Sequence, residues 1–149
     1  MVEPNLGNVI VTGGAGFIGS NLIKHLQDKI TGTIFAIDTF GESVKSCKTH
    51  GTFENISDLE CLPIPCDIRF IKQKLIDIID KPIDAIFHLA AISDTIALDQ
   101  NTVIDVNMNS LHQILELCDY FSAPLIYASS GSVYGNKPNH SNYLGSECP

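Results

Sequence analysis

Residues 8–12 (N-V-I-V-T) form a short β-branched run, and a glycine-rich string follows at once. From Phe17 onward the apolar positions fall at Ile18, Leu22, Ile23 and Leu26, a spacing that predicts a helix. Residues 33–37 (T-I-F-A-I) read as a second strand ending at Asp38. Strand, helix and strand fit within about thirty residues, the size of one βαβ unit. Residues 39–60 are polar and weakly periodic, predicting a loop with at most a short helix. A third strand is predicted over 62–66, where Pro63 and Pro65 suit a sheet edge or a strand end. Helical spacing returns over 70–79, at Ile71, Leu75, Ile76, Ile78 and Ile79. Residues 84–91 (D-A-I-F-H-L-A-A) are almost continuously apolar, the pattern of a strand covered on both faces. Ile104, Met108, Leu111, Leu115 and Cys118 mark one stripe of a long helix, and Pro124 precedes a last strand over 125–129. Strands that alternate with helices and are apolar on both sides predict an α/β, doubly wound, mostly parallel sheet. No internal repeat, low-complexity stretch or linker interrupts it, so residues 1–149 are expected to form one domain.

Composition narrows the chemistry. A chain of 149 residues can bury a sizeable core. It is 44% hydrophobic and 17% charged. No apolar run approaches the ~18 residues of a membrane span, and the N-terminus lacks the basic start and apolar stretch of a signal peptide. Together these predict a cytoplasmic protein with no membrane partner. A net charge of −8 repels phosphate backbones and predicts no nucleic-acid partner. Any phosphate must then be held by backbone amides. The five cysteines (Cys47, Cys61, Cys66, Cys118, Cys148) are odd in number and form no C-x-x-C pair. Neither a disulfide framework nor a metal site is expected from them.

The string T-G-G-A-G-F-I-G-S at 12–20 places Gly13, Gly16 and Gly19 in G-x-x-G-x-x-G spacing, after a strand and at the start of a helix. Three needs meet there: a tight turn, a backbone without Cβ where a diphosphate approaches, and close packing of helix on strand. Amides at the helix start, with Phe17 and Ile18, then bind the anion without any Lys or Arg. Asp38 follows nineteen residues after Gly19, at the end of the next strand, where a carboxylate can accept both ribose hydroxyls. The alternative is a plain turn residue. A Rossmann-type NAD site is the expectation. NAD is favoured over NADP because a carboxylate repels a 2′-phosphate and no cation follows until Lys45.

Later motifs extend this reading. They are C-D-I-R at 66–69, H-L-A-A at 88–91, V-N at 106–107 and Y-A-S-S-G-S-V-Y-G at 127–135. With the glycine string and Asp38, in this order, the chain resembles the extended branch of the short-chain dehydrogenase/reductase superfamily. These are the NAD-dependent epimerases and dehydratases of nucleotide sugars. The resemblance implies that Asp67 contacts adenine through its carboxylate and Ile68 through its backbone. Leu89, Ala90 and Ala91 would line the cofactor. Asn107 would help order the site, the alternative being an ordinary polar residue of the helix. Ser130, past the end of the last strand, would hydrogen-bond the substrate oxygen during catalysis; otherwise it only caps a turn. His88, set in an apolar strand, is expected to be a core histidine rather than a base. Dehydratases of the family carry an Asp-Glu pair after this Ser; Gly131 and Ser132 stand here, which favours epimerase or reductase chemistry. I-S-D-T at 92–95 and Y-A-S-S at 127–130 resemble the heptose-epimerase branch.

The family's Tyr-x-x-x-Lys pair is not found. Four residues after Tyr143 stands Glu147, which would raise the phenol pKa, and Tyr134 also lacks a Lys partner. E-C-P at 147–149 is similar to the segment that precedes the catalytic Tyr in the extended branch. The Tyr-Lys segment and the substrate domain are therefore expected to lie beyond this sequence. Three readings stay open: the NAD-binding part of a nucleotide-sugar epimerase or oxidoreductase, a non-catalytic NAD-binding module, or a truncated inactive product. A parallel sheet needs cover on both faces, so the chain alone is expected to be marginally stable or to self-associate, a homo-oligomer included.

Overall fold

A computed structural model describes residues 6–41, 50–94 and 99–131. Five strands, β1 (Val9–Thr12), β2 (Ile34–Asp38), β3 (Leu62–Pro65), β4 (Ala85–His88) and β5 (Leu125–Tyr127), form one sheet in the order β3-β2-β1-β4-β5. Every pairing is parallel, with Thr12 opposite His88 and His88 opposite Tyr127. The connections carry α1 (Phe17–Leu26), α2 (Ile71–Ile78), α3 (Gln100–Ile104) and α4 (Leu111–Phe121). Short 3₁₀ turns occupy Phe53–Ile56, within the stretch expected to be loop with at most a short helix, and Ile68–Phe70.

Alternation along the strands divides the core between the two faces. Ile10, Ile37, Ile64 and Ile86 pack with Ile71 and Leu75 of α2 and Ile114 and Leu117 of α4. Val9, Val11, Ile34 and Ala36 pack with Ile23 and Leu26 of α1 on the opposite face. Strands buried on both faces cannot alternate polar and apolar residues, which is why they read as continuous apolar runs. The two edge strands are the exceptions: β5 has no buried residue, and β3 little more. Only Ile64 is buried in β3, and Pro63 and Pro65 sit where no further strand asks for their missing N–H groups.

The expected long helix is in fact three pieces. Between α3 and α4 the backbone opens into a π-helical segment, Asp105–Asn109, in which the Ser110 N–H reaches the Asp105 carbonyl five residues back (3.0 Å). Its expected apolar stripe is split: Leu111 and Cys118 pack against the core, and the other three positions face outward. Ile104, Met108 and Leu115 are 46%, 67% and 47% exposed, whereas Thr102, Val106, Ser110, Ile114 and Leu117 are buried. The wider turn rotates the register between α3 and α4, so a single 3.6-residue stripe does not describe both. The helix stops at Ser122, whose left-handed backbone (φ 54°, ψ 37°) lets the Ala123 N–H cap the Cys118 carbonyl.

Candidate functional site

The sheet's order reverses direction between β1 and β4, and open α/β sheets bind ligands beyond the strand ends at this point. A cleft of about 870 Å³ lies there, and every site residue expected from the sequence lines it: Gly13, Gly16, Phe17, Ile18, Gly19, Asp38, Asp67, Ile68, Leu89, Ala90, Ala91, Asn107 and Ser130. His50, Gly51, Cys66 and His88 line it as well.

The three glycines of the turn have separate reasons. Gly13 has φ +68°, and a Cβ on it would meet the Ala90 nitrogen at 2.8 Å, so it serves both the turn and the close approach of β4. A Cβ on Gly19 would lie 2.0 Å from the Gly13 carbonyl oxygen, so helix and turn touch there. At Gly16 the protein itself asks for little, since the nearest atom to an added Cβ is the Gly13 oxygen at 3.3 Å and the rest is open cleft. A missing side chain facing an open cleft is what an approaching ligand requires.

Backbone donors of the turn can be accounted for one by one. Gly14 N bonds the Ile37 carbonyl (3.1 Å), Gly16 N the Gly13 carbonyl (3.0 Å) and Ser20 N the Gly16 carbonyl (2.9 Å). Ala15 N bonds Asp38 Oδ2 (3.0 Å). Phe17, Ile18 and Gly19 N–H find no acceptor among the described residues, because they open α1 and its N-cap, Gly16, has no side chain to offer. No acidic residue occupies that first turn either. Three unpaired amides and the positive end of the helix dipole make an anion site in a protein of net charge −8.

Asp38 is held firmly. Besides Ala15 N, its Oδ1 accepts Thr39 N (2.8 Å) and Phe40 N (3.3 Å). A carboxylate has about four acceptor positions, so Oδ2 keeps one for a ligand rather than the two hydroxyls expected. Gly51 packs directly on this group: a Cβ there would come within 2.4 Å of Oδ1. Asn55, from the 3₁₀ turn, donates to the Ala15 carbonyl (2.7 Å), so the Ala15 peptide is clamped at both ends by side chains. Gly51 and Asn55 escape sequence reasoning because they lie in a stretch with no periodicity. The only hint was an isolated glycine beside the acid's loop.

Asp67 stands at the start of its 3₁₀ turn and accepts Arg69 N (2.9 Å). The Arg69 guanidinium also chelates it, with Nη2 2.6 Å from Oδ2. Partial burial pushes the carboxyl up, but the Arg69 hydrogen bonds and charge together outweigh it and hold it below its ordinary value. Its neighbour Cys66 is buried, and that burial raises the thiol pKa, which leaves it a neutral wall of the cleft. Across the cleft, Asn107 in the π-helical segment pairs with Ile92, its Oδ1 accepting Ile92 N (2.8 Å) and its Nδ2 donating to Ile92 O (2.9 Å). The wide turn presents this amide to the segment after β4.

His88 is buried, as expected of a core histidine, yet it also lines the cleft. Its Nδ1 lies 2.7 Å from the hydroxyl of buried Thr12, and burial pulls its pKa down. Ser130 lies three residues past β5, at the same end of the sheet. Tyr134, Tyr143 and the 147–149 segment fall outside the described residues, as do Lys45, Cys47, Thr95, Ser132 and Cys148. Among the described residues there is no group of three His, Cys, Asp or Glu able to hold a metal, and no helix long and apolar enough to cross a membrane.

Comparison with known proteins agrees with this geometry. The NAD dependent epimerase/dehydratase family matches residues 9–148. The ADP-L-glycero-D-manno-heptose-6-epimerase of Thiobacillus denitrificans is 34% identical over 127 residues, which are 85% of this chain and 36% of that protein. This chain thus spans about a third of the length of that curated relative. The crystal structure of the Helicobacter pylori ADP-L-glycero-D-manno-heptose-6-epimerase matches with TM-score 0.76 and 33% identity, over 95% of this chain and 44% of that one. The Bacillus cereus UDP-glucuronic acid 4-epimerase, solved with UDP-glucuronic acid and NAD, matches with TM-score 0.68 and 28% identity, over 91% and 44% of the two chains.

Proposed function

The chain belongs to the NAD-dependent epimerase/dehydratase family, and from that premise we propose that it is the NAD-holding part of a nucleotide-sugar epimerase. One observation carries the reading: the unpaired Phe17, Ile18 and Gly19 amides, the Asp38 carboxylate and Ser130 all open onto a single cleft at the sheet's switch point. The three amides, beside the open side of Gly16, would hold the diphosphate of NAD. Oδ2 of Asp38 would accept from its adenosine ribose. The Ile68 backbone and the Asp67–Arg69 pair bound the adenine end, where the saturated Asp67 carboxylate must share with Arg69 to accept from the base. Leu89, Ala90 and Ala91 floor the remainder, with Asn107 fixing the chain beyond them.

When bound, NAD supplies the acceptor for hydrogen taken from a sugar carbon and returned to it. Ser130 hydrogen-bonds the sugar oxygen whose proton moves in the same step. The group that moves that proton is not in this sequence as Tyr-x-x-x-Lys, since Pro124, Gly131, Pro138 and Glu147 stand four residues after the four tyrosines. We therefore place turnover in a protein that also supplies that pair and a substrate-binding part. The two heptose-epimerase relatives make an ADP-linked heptose the first substrate to try.

Calorimetry with NAD and NADP tests the binding half: NAD is expected to bind more tightly, because Asp38 repels a 2′-phosphate. Tighter NADP binding, or none of either, overturns it. A second reading is a module that binds NAD without turnover. An assay of the complete gene product with ADP-heptose decides between them: epimerised sugar supports the enzyme, and bound NAD with no product supports the module.

A further inference from the structure

The Thr12 hydroxyl is at the centre of a hydrogen-bond accounting that determines the state of His88. Its Oγ1 accepts Ala90 N (3.2 Å) and shares Leu89 N (3.2 Å) with its own carbonyl (3.1 Å). A hydroxyl has two acceptor positions and one hydrogen. Both acceptor positions are engaged by amides, and Thr12 is fully buried. Its hydrogen therefore goes to the one remaining neighbour, Nδ1 of His88 at 2.7 Å. Nδ1 must be bare to receive it, which leaves the proton on Nε2. That nitrogen has no partner among the described residues, and no side-chain polar atom there is both buried and unbonded, so Nε2 opens onto the cleft that His88 lines.

We propose that His88, as the neutral Nε2–H tautomer, is a positioning residue of the cofactor cleft: by accepting the Thr12 hydroxyl hydrogen it commits that oxygen to the Leu89 and Ala90 amides and fixes the backbone flooring the cleft. The burial of His88 supports the neutral form, since burial alone lowers its pKa and no charged side chain contributes. From the adjoining strands it pairs in register with Thr12 on β1 and Tyr127 on β5, neither of them charged. Gly13 shows what the backbone position is worth: with an added Cβ only 2.8 Å from Ala90 N, turn and floor leave no slack between them.

The inference rests on the NAD reading for its consequence but not for its tautomer, so two measurements separate them. In the unmutated chain, two-bond ¹H–¹⁵N correlations of the His88 ring are expected to show Nε2 protonated and Nδ1 bare at neutral pH. A protonated Nδ1 overturns the proposal, whether or not NAD binds. In calorimetry with NAD, His88→Leu is expected to weaken binding about five- to tenfold, the scale of one buried hydrogen bond. His88→Asn places a carbonyl oxygen near the Nδ1 position and is expected to restore affinity to within about twofold. Equal losses in the two variants, or none in His88→Leu, contradict it. Should His88→Leu fail to fold, Thr12→Ser against Thr12→Val poses the same question from the other side of the bond: affinity kept in the first and lost in the second supports the proposal, and equal affinity overturns it.

Discussion

Replacing Gly16 with Ala should separate what the fold needs at this position from what a ligand needs. Gly16 has φ −75° and ψ 173°, a conformation any residue adopts. The added Cβ meets only the Gly13 oxygen, at 3.3 Å, which a shift of a few tenths of an ångström relieves. Gly→Ala at a compatible position stabilises by about 0.4–1 kcal/mol through the unfolded chain. For a domain of this size one kcal/mol moves Tm by about 2–4 °C, so Tm should stay level or rise by up to about 4 °C. Binding should behave oppositely. The new methyl projects over the amides of α1 and holds a diphosphate off them, and a hydrogen bond to a charged group is worth about 1.5–3 kcal/mol. Losing one weakens NAD binding about tenfold to over a hundredfold. Calorimetry and a thermal scan on the same sample read both effects. A folded Gly16→Ala chain that binds NAD with unchanged Kd would show that no diphosphate rests on these amides. Gly19→Ala is the control: its Cβ would sit 2.0 Å from the Gly13 oxygen, so stability itself should collapse.

Three other perturbations address the walls of the cleft. Gly51→Ala would push a methyl to 2.4 Å from Asp38 Oδ1, and it should reduce the preference for NAD over NADP, measured as the ratio of their Kd values. Asn107→Leu removes the paired bonds to Ile92 and should cost about 1–3 kcal/mol in urea unfolding, since the Ile92 backbone is left without its partners. Acid titration of Tm should show two steps. The lowered pKa of His88 gives stability that is complete above about pH 6.5 and is lost as pH falls from there toward the folded value. The lowered pKa of Asp67 gives stability complete above about pH 3.9 and lost as pH falls through its folded value. His88→Asn should remove the first step and Asp67→Asn the second; a step that persists in its variant contradicts the assignment.

Much of the architecture was legible because local pattern and global fold agree. The doubly buried strands, the glycine string and Asp38 each follow from one local requirement, and the edge prolines announced β3. The helix after β4 was less legible. Ile104, Met108 and Leu115 of its apolar stripe point outward, and the face that packs carries Thr102 and Ser110, polar residues whose hydroxyls are absorbed by Asp99 Oδ2 and the Val106 carbonyl. The π-helical turn could not be read from spacing because Asn107 gains its partner, Ile92, only through tertiary folding. Asp67 lines the cleft, but its bidentate capture by Arg69 depends on side-chain geometry that a motif does not carry. The Thr12–His88 bond joins residues 76 apart in sequence, and the composition of either strand gives no sign of it.

The proposed function puts NAD across the amides of α1 and along the ends of β1, β2 and β4. An NAD titration followed by backbone ¹H–¹⁵N spectra tests it most directly. Saturable shifts are expected at Gly13–Gly19, Asp38, Asp67–Ile68 and Leu89–Ala91, largest at Phe17 and Ile18. Saturation with those amides unmoved, or no saturable change at all, would contradict it.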